Sequence, residues 1–112
     1  MVGIAEDSGL HTLVVTFTVT PDKQADLVQY LQGVAADHSE HDGFVSCSIH
    51  RSGDGLRVVE YIQWQTREHL QAVLATPEAR AHVTDPSRQA DAHAYVVASV
   101  TEAPAGRLPS PA

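Results

Sequence analysis

Cys47 is the only cysteine of the chain, so no disulfide can form within it and the fold must rest on its core. Basic residues are scarce too: seven Lys or Arg stand against fourteen Asp or Glu, for a net charge of -7. With no basic face to neutralise phosphates, nucleic acid is a poor partner. No window holds the roughly 20 apolar residues of a membrane span. Met1 is followed by Val-Gly-Ile-Ala-Glu-Asp rather than by a basic segment and an apolar run, so no secretory leader is read here. The chain is expected to be cytoplasmic, with no membrane partner. Glycine-rich phosphate loops, a nucleophile elbow, and flavin, nicotinamide or metal motifs are all missing. Any chemistry is therefore expected to run without cofactor or metal, on reactivity that the substrate supplies.

What is there begins with length. At 112 residues the chain is one domain and should bury about two-thirds of its unfolded surface. Histidine is abundant, with seven, while two Phe, three Tyr and one Trp make each aromatic worth locating. Residues 1–9 read as a flexible arm, 10–101 as the folded domain, and the Pro, Ala and Gly tail from Glu102 as a C-terminal extension, 102–112.

Leu10 to Thr20 alternates β-branched residues, the mark of a strand. Thr20-Pro21 reads as a helix start, a hydroxyl N-cap followed by proline at the first helical position. Leu27, Val28, Leu31, Val34 and Ala35 then build one apolar helix face, ending near Ala36 or Ser39. Period-two alternation resumes from Phe44 to Arg51, turns at Ser-Gly-Asp-Gly (52–55), and returns through Val58 to Trp64. Thr66 caps a second helix carrying Leu70, Val73 and Leu74, which Thr76-Pro77 restarts or kinks. Ala92 to Thr101 is the last strand. The order β-α-β-β-α-β predicts an α+β, ferredoxin-like fold: an antiparallel sheet with both helices on one face. The other face, with Val45, Cys47, Ile49, Val59 and Tyr61, looks apolar and uncovered. A homodimer formed face to face through it, a dimeric α+β barrel, would cover it.

Glu60 stands out within that pattern. It shares one side of its strand with Leu56, Val58, Ile62 and Trp64, so a carboxylate interrupts an apolar row. Its neighbours depend on the hairpin register. A three-residue loop, Gly53 to Gly55, pairs His50 with Val58, Ser48 with Glu60 and Phe44 with Trp64; a four-residue loop puts His50 opposite Arg57 and Cys47 opposite Glu60. The first is favoured because it pairs two aromatics and surrounds Glu60 with hydroxyls. It gathers Glu60, His50 and Trp64 as candidate catalytic residues, with Phe44, Ser48, Leu70, Leu74 and His82 as candidate substrate contacts beneath the helices. A buried carboxylate must be paired, hydrogen-bonded or protonated, which suits a general base; the alternative is a structural carboxylate at a helix end. His38 and His41 form His-x-x-His, but no cysteine or carboxylate pattern completes a metal site, and both are expected to be solvated.

The segment VVEYIQWQTREHLQAVLATPEARAHV, with FVSCSIHRSGDG before it, resembles the antibiotic biosynthesis monooxygenase family of small dimeric α+β barrels, in particular the enzymes that oxidise aromatic polyketide anthrones to quinones. The resemblance implies a cofactor-independent monooxygenase acting on a small aromatic substrate with O₂. It matches the family's tryptophan at Trp64 and its pocket histidine at His50. An asparagine in the family stands where this chain has Glu60, a tyrosine where it has Leu70, and an arginine for which the nearest residue here is Arg80. A haem-degrading branch has its axial histidine at the place of His82, but lacks matches at Val15 and at Ala72 or Val73. A non-oxidative isomerase or cyclase of the same fold, or a protein binding haem or another flat hydrophobic ligand, is the alternative.

Overall fold

The computed structural model describes residues 10–77, 79 and 89–104. Six elements follow one another: β1 (His11–Thr18), α1 (Gln24–His38), β2 (Phe44–Arg51), β3 (Arg57–Trp64), α2 (Arg67–Leu74) and β4 (Ala90–Val96). The strands form one antiparallel sheet in the order β2-β3-β1-β4, the ferredoxin-like arrangement that the pattern predicts. Leu13, Val15 and Phe17 of β1 pair with Ile62, Glu60 and Val58 of β3. The apolar side chains among them make the core together with Trp64, Leu31 of α1, and Leu70 and Val73 of α2, and Glu60 is buried among them. Each fully buried side chain of this size contributes about 1.5–3 kcal/mol. Among the described residues, no helix is long and apolar enough to cross a membrane.

The start of α1 differs from the expectation. Thr20 and Pro21 are not its cap and first residue; the helix begins at Gln24, and Lys23 at the N-cap makes no side-chain capping bond. Thr20 instead hydrogen-bonds Asp22, which holds that exposed carboxyl below its ordinary value. The intervening turn is used to fasten β1 to the hairpin. Gln24 Nε2 donates to the carbonyls of Ser52 and Arg57, each at 3.0 Å. Val19 N–H donates to Leu56 O at 2.9 Å. A Cβ on Gly55 would lie 2.9 Å from Cβ of Pro21, so that proline packs on the hairpin tip. Long-range bonds of this kind outweigh the local helix-start signal.

The Thr66 cap is as expected: its hydroxyl accepts the N–H of His69 at 3.1 Å. His69 lies tight against the chain before β2, where Gly43 has φ +83 and an added Cβ would collide with the imidazole. Only glycine fits there, for both backbone conformation and space. Thr76 also acts as a cap, accepting from Ala79 N–H at 3.3 Å. β4 runs earlier than predicted, starting at Ala90 and ending at Val96 rather than Thr101.

The hairpin register is neither of the two expected. Ile49 lies opposite Glu60, His50 opposite Val59 and Ser48 opposite Tyr61. The loop contains four residues, Gly53 to Leu56, closed by Ser52 N–H to Arg57 O at 3.0 Å. Asp54 organises it, accepting from Ser52 Oγ at 2.7 Å and Leu56 N–H at 3.0 Å, while Gly55 takes φ +79. These bonds hold Leu56 inside the turn instead of at the start of β3. At the far end, Phe44 does pair with Trp64, because the register shifts between Phe44 and Ser46. This bulge leaves Val45 as an extra residue, and one extra residue exchanges the faces of everything beyond it.

Candidate active site

Glu60 lies at the centre of β3 between Val15 and Ile49, with no exposed surface. A β-strand puts alternate residues on one face, so Glu60 shares the helix-covered side with Val58, Ile62 and Trp64. A small space of about 10 Å³ lies there. Leu13 and Ile62 bound it from the sheet and Leu70, Val73 and Leu74 from α2; Glu60, Trp64, His38 and Ala79 complete the lining. Trp64 is 1% exposed. Phe44 meets its indole edge-on, with ring centroids 5.5 Å apart at 88°, a favourable arrangement for two π-systems. The Trp64 Nε1–H has no hydrogen-bond partner among the described residues. A buried donor without a partner costs about 1–3 kcal/mol.

Of the residues read as candidates, the fold brings Glu60, Trp64, Leu70 and Leu74 to one cavity, with Phe44 against Trp64. It does not bring His50 or Ser48 there. Both pair across to Val59 and Tyr61 on the uncovered face, since the bulge and the longer loop exchange the two sides of β2. Cys47 and Ile49, expected on the uncovered face, pack instead against the core. His82 lies outside the described residues.

Cys47 reports on Glu60. Burial, and secondly the negative charge of Glu60, push its thiol from 9.0 up to about 12. The group stays neutral at ordinary pH, and only the thiolate is a nucleophile. Labelling by a thiol reagent at pH 8 should therefore be at least ~100-fold slower than that of a free cysteine, and Glu60→Gln should speed it up. Equal rates in folded and denatured protein would contradict this placement. The sign for stability follows: the unfolded thiol ionises first, so stability is full below about pH 9 and declines as pH rises toward 12.

His38, the last residue of α1, belongs to the site although its position suggested a solvated side chain. It lines the cavity with Glu60 and Trp64; its ring centroid is 6.3 Å from that of Trp64 and 6.1 Å from that of His41. Its spacing carried the signal. His38 is seven residues beyond Leu31 and four beyond Val34, and so continues the inward stripe of the helix. Among the described residues, no group of three or more His, Cys, Asp or Glu is arranged to hold a metal ion.

Comparison with known proteins agrees with the fold. Residues 10–85 match the family described as antibiotic biosynthesis monooxygenase. The chain is 40% identical to the tetracenomycin-F1 monooxygenase of Streptomyces glaucescens over 83 residues, 73% of this chain and 74% of that one. Its fold is similar to a monooxygenase from the gene ActVA-Orf6 of Streptomyces coelicolor, solved with nanaomycin D, with TM-score 0.68 and 25% identity over 92% of this chain and 94% of that one. It is also similar in fold to SnoaB, a cofactor-independent oxygenase from Streptomyces nogalater, with TM-score 0.70 and 21% identity over 82% and 96% of the two chains.

Proposed function

The chain belongs to the antibiotic biosynthesis monooxygenase family, and from that premise we propose that it is a cofactor-independent monooxygenase converting a phenolic, anthrone-type polyketide to a quinone with O₂. The observation that carries this reading is a fully buried carboxylate, Glu60, lining the same cavity as a tryptophan whose N–H has no partner among the described residues.

In the proposed reaction Glu60 is the base. It removes a proton from the CH₂ group of the electron-rich substrate, leaving a carbanion delocalised over the phenolic rings. That anion passes one electron to O₂, and the resulting radical and superoxide combine into a peroxide on the same carbon. The peroxide takes back the proton held by Glu60. Loss of water, with the second hydrogen of the original CH₂, leaves a carbonyl. One O₂ is consumed, one oxygen atom enters the product and the other leaves as water, so no external reductant is needed. A carboxylate beside a carbanion raises the question of repulsion. Once Glu60 is protonated, however, the pair carries one negative charge, as it did before the transfer. Trp64 Nε1–H would donate to the developing peroxide oxygen, and Phe44, Leu70 and Leu74 would exclude water from it.

A homodimer through the uncovered sheet face, in the cytoplasm, completes the proposal. It is supported by Tyr95, 52% exposed, and by Val14 and Tyr61, half-buried beside it. Ser46, Ser48 and His50 make that face more polar than the sequence suggested, so its contact would be mixed.

The test is an oxygen-electrode assay with dithranol, a dihydroxy-anthrone. The expected result is one O₂ consumed per quinone formed and no product under nitrogen. Conversion without O₂ would transfer the protein to the isomerase or cyclase class.

A further inference from the structure

The cavity that holds Glu60 and Trp64 is too small for any ring. Its volume of about 10 Å³ is close to the minimum for one water molecule, whereas sites for small organic ligands span roughly 300–1,000 Å³. A space of about 690 Å³ lies immediately outside it, along α1. Tyr30, Gly33, Val34 and Asp37 line this groove from the helix, with His41 beyond the helix end. His38 lines both spaces, so the groove and the cavity of the buried carboxylate adjoin at this residue.

The composition of the groove suits a flat phenolic molecule. Tyr30 and Val34 offer apolar area, and Asp37, His38 and His41 offer groups for ring hydroxyls. Gly33 is the more telling residue. A glycine in mid-helix weakens the helix, and the position of its absent Cβ has no atom of the described residues within 4 Å. The missing side chain is therefore open space in the wall of the groove.

We propose that the ring system of the substrate lies in the α1 groove across Gly33, and that His38 hydrogen-bonds a ring oxygen and so presents the reacting edge to Glu60 and Trp64. The buried cavity then receives only the reacting CH₂ edge and O₂, while the remaining rings stay in the groove. This assignment rests on the oxygenase reading for the identity of the ligand, but the groove and its contacts can be tested without turnover.

The probe is danthron, a stable dihydroxy-anthraquinone, and the signal is quenching of Trp64, the single tryptophan of the chain, whose ring lies 6.3 Å from that of His38. Quenching is expected to saturate in the native protein. Gly33→Leu fills the groove while improving helix propensity, so it should raise the melting temperature or leave it unchanged and weaken binding at least tenfold. His38→Ala should weaken binding about five- to tenfold, the effect of one lost hydrogen bond, and His38→Gln, which keeps a donor, should recover most of it. Absence of saturable quenching in the native protein, or unchanged affinity in Gly33→Leu and His38→Ala, would overturn the groove assignment. Weakened binding in both variants, together with no O₂ uptake on dithranol by the native protein, would uphold the groove and reject the oxygenase reading.

Discussion

Replacing Glu60 by glutamine is expected to leave the protein folded and to lower turnover of dithranol by about 10²- to 10⁴-fold, the range typical for loss of a positioned general base. The two side chains have nearly the same shape, so the space between Val15 and Ile49 stays filled. The amide also removes a buried ionisable group, a change that is often neutral or stabilising when hydrogen bonding is kept. Stability and activity should therefore separate: urea unfolding followed by circular dichroism should change little while O₂ uptake collapses. The labelling rate of Cys47 provides a third readout, since the charge of Glu60 helps to hold its thiol high. Full turnover in Glu60→Gln with faster Cys47 labelling would mean that the carboxylate is removed without consequence. Glu60 would then be structural, and the proton would have to go elsewhere.

Trp64→Ala should have the largest effect on stability, about 3–5 kcal/mol, as for other buried aromatic truncations. The indole is 1% exposed and carries the edge-on contact with Phe44 at one end of the hairpin. A domain of this size is stable by only about 5–15 kcal/mol, so much of the margin would be lost. Trp64→Phe divides the two roles of the residue. It keeps an aromatic ring against Phe44 and discards a buried N–H that has no partner among the described residues, so the stability loss should be much smaller. If that N–H donates to the peroxide oxygen, kcat should still fall by about 10²- to 10³-fold, as for other lost oxyanion donors. A Phe variant with native kcat would confine Trp64 to packing.

Much of this architecture is legible in the chain. Phe44–Arg51 coincides in both limits with the stretch of period-two alternation, and Thr66 caps α2 as its hydroxyl suggests. Both are local features, decided by residues adjacent in sequence. The start of α1 is not legible locally, because the competing interactions, Gln24 to Ser52 and Arg57, join residues 28 and 33 positions apart. Of the site, Glu60, Trp64, Leu70 and Leu74 were readable as inward-facing members of their own elements. His38 was also readable by helical spacing, but its place next to the loop favoured a solvated reading.

Within a strand, alternation dictates which residues share a side, and it put Glu60 in the apolar row with Ile62 and Trp64. It says nothing of which side a neighbouring strand presents. That depended on Val45 bulging and on Asp54 holding Leu56 within the turn, two differences of a single residue that replaced His50 and Ser48 beside Glu60 with Ile49 and Cys47. A shift of one residue changes little in local energy, yet it exchanges every side chain between core and surface. The choice is therefore made by burial across the whole sheet, which no window of sequence contains.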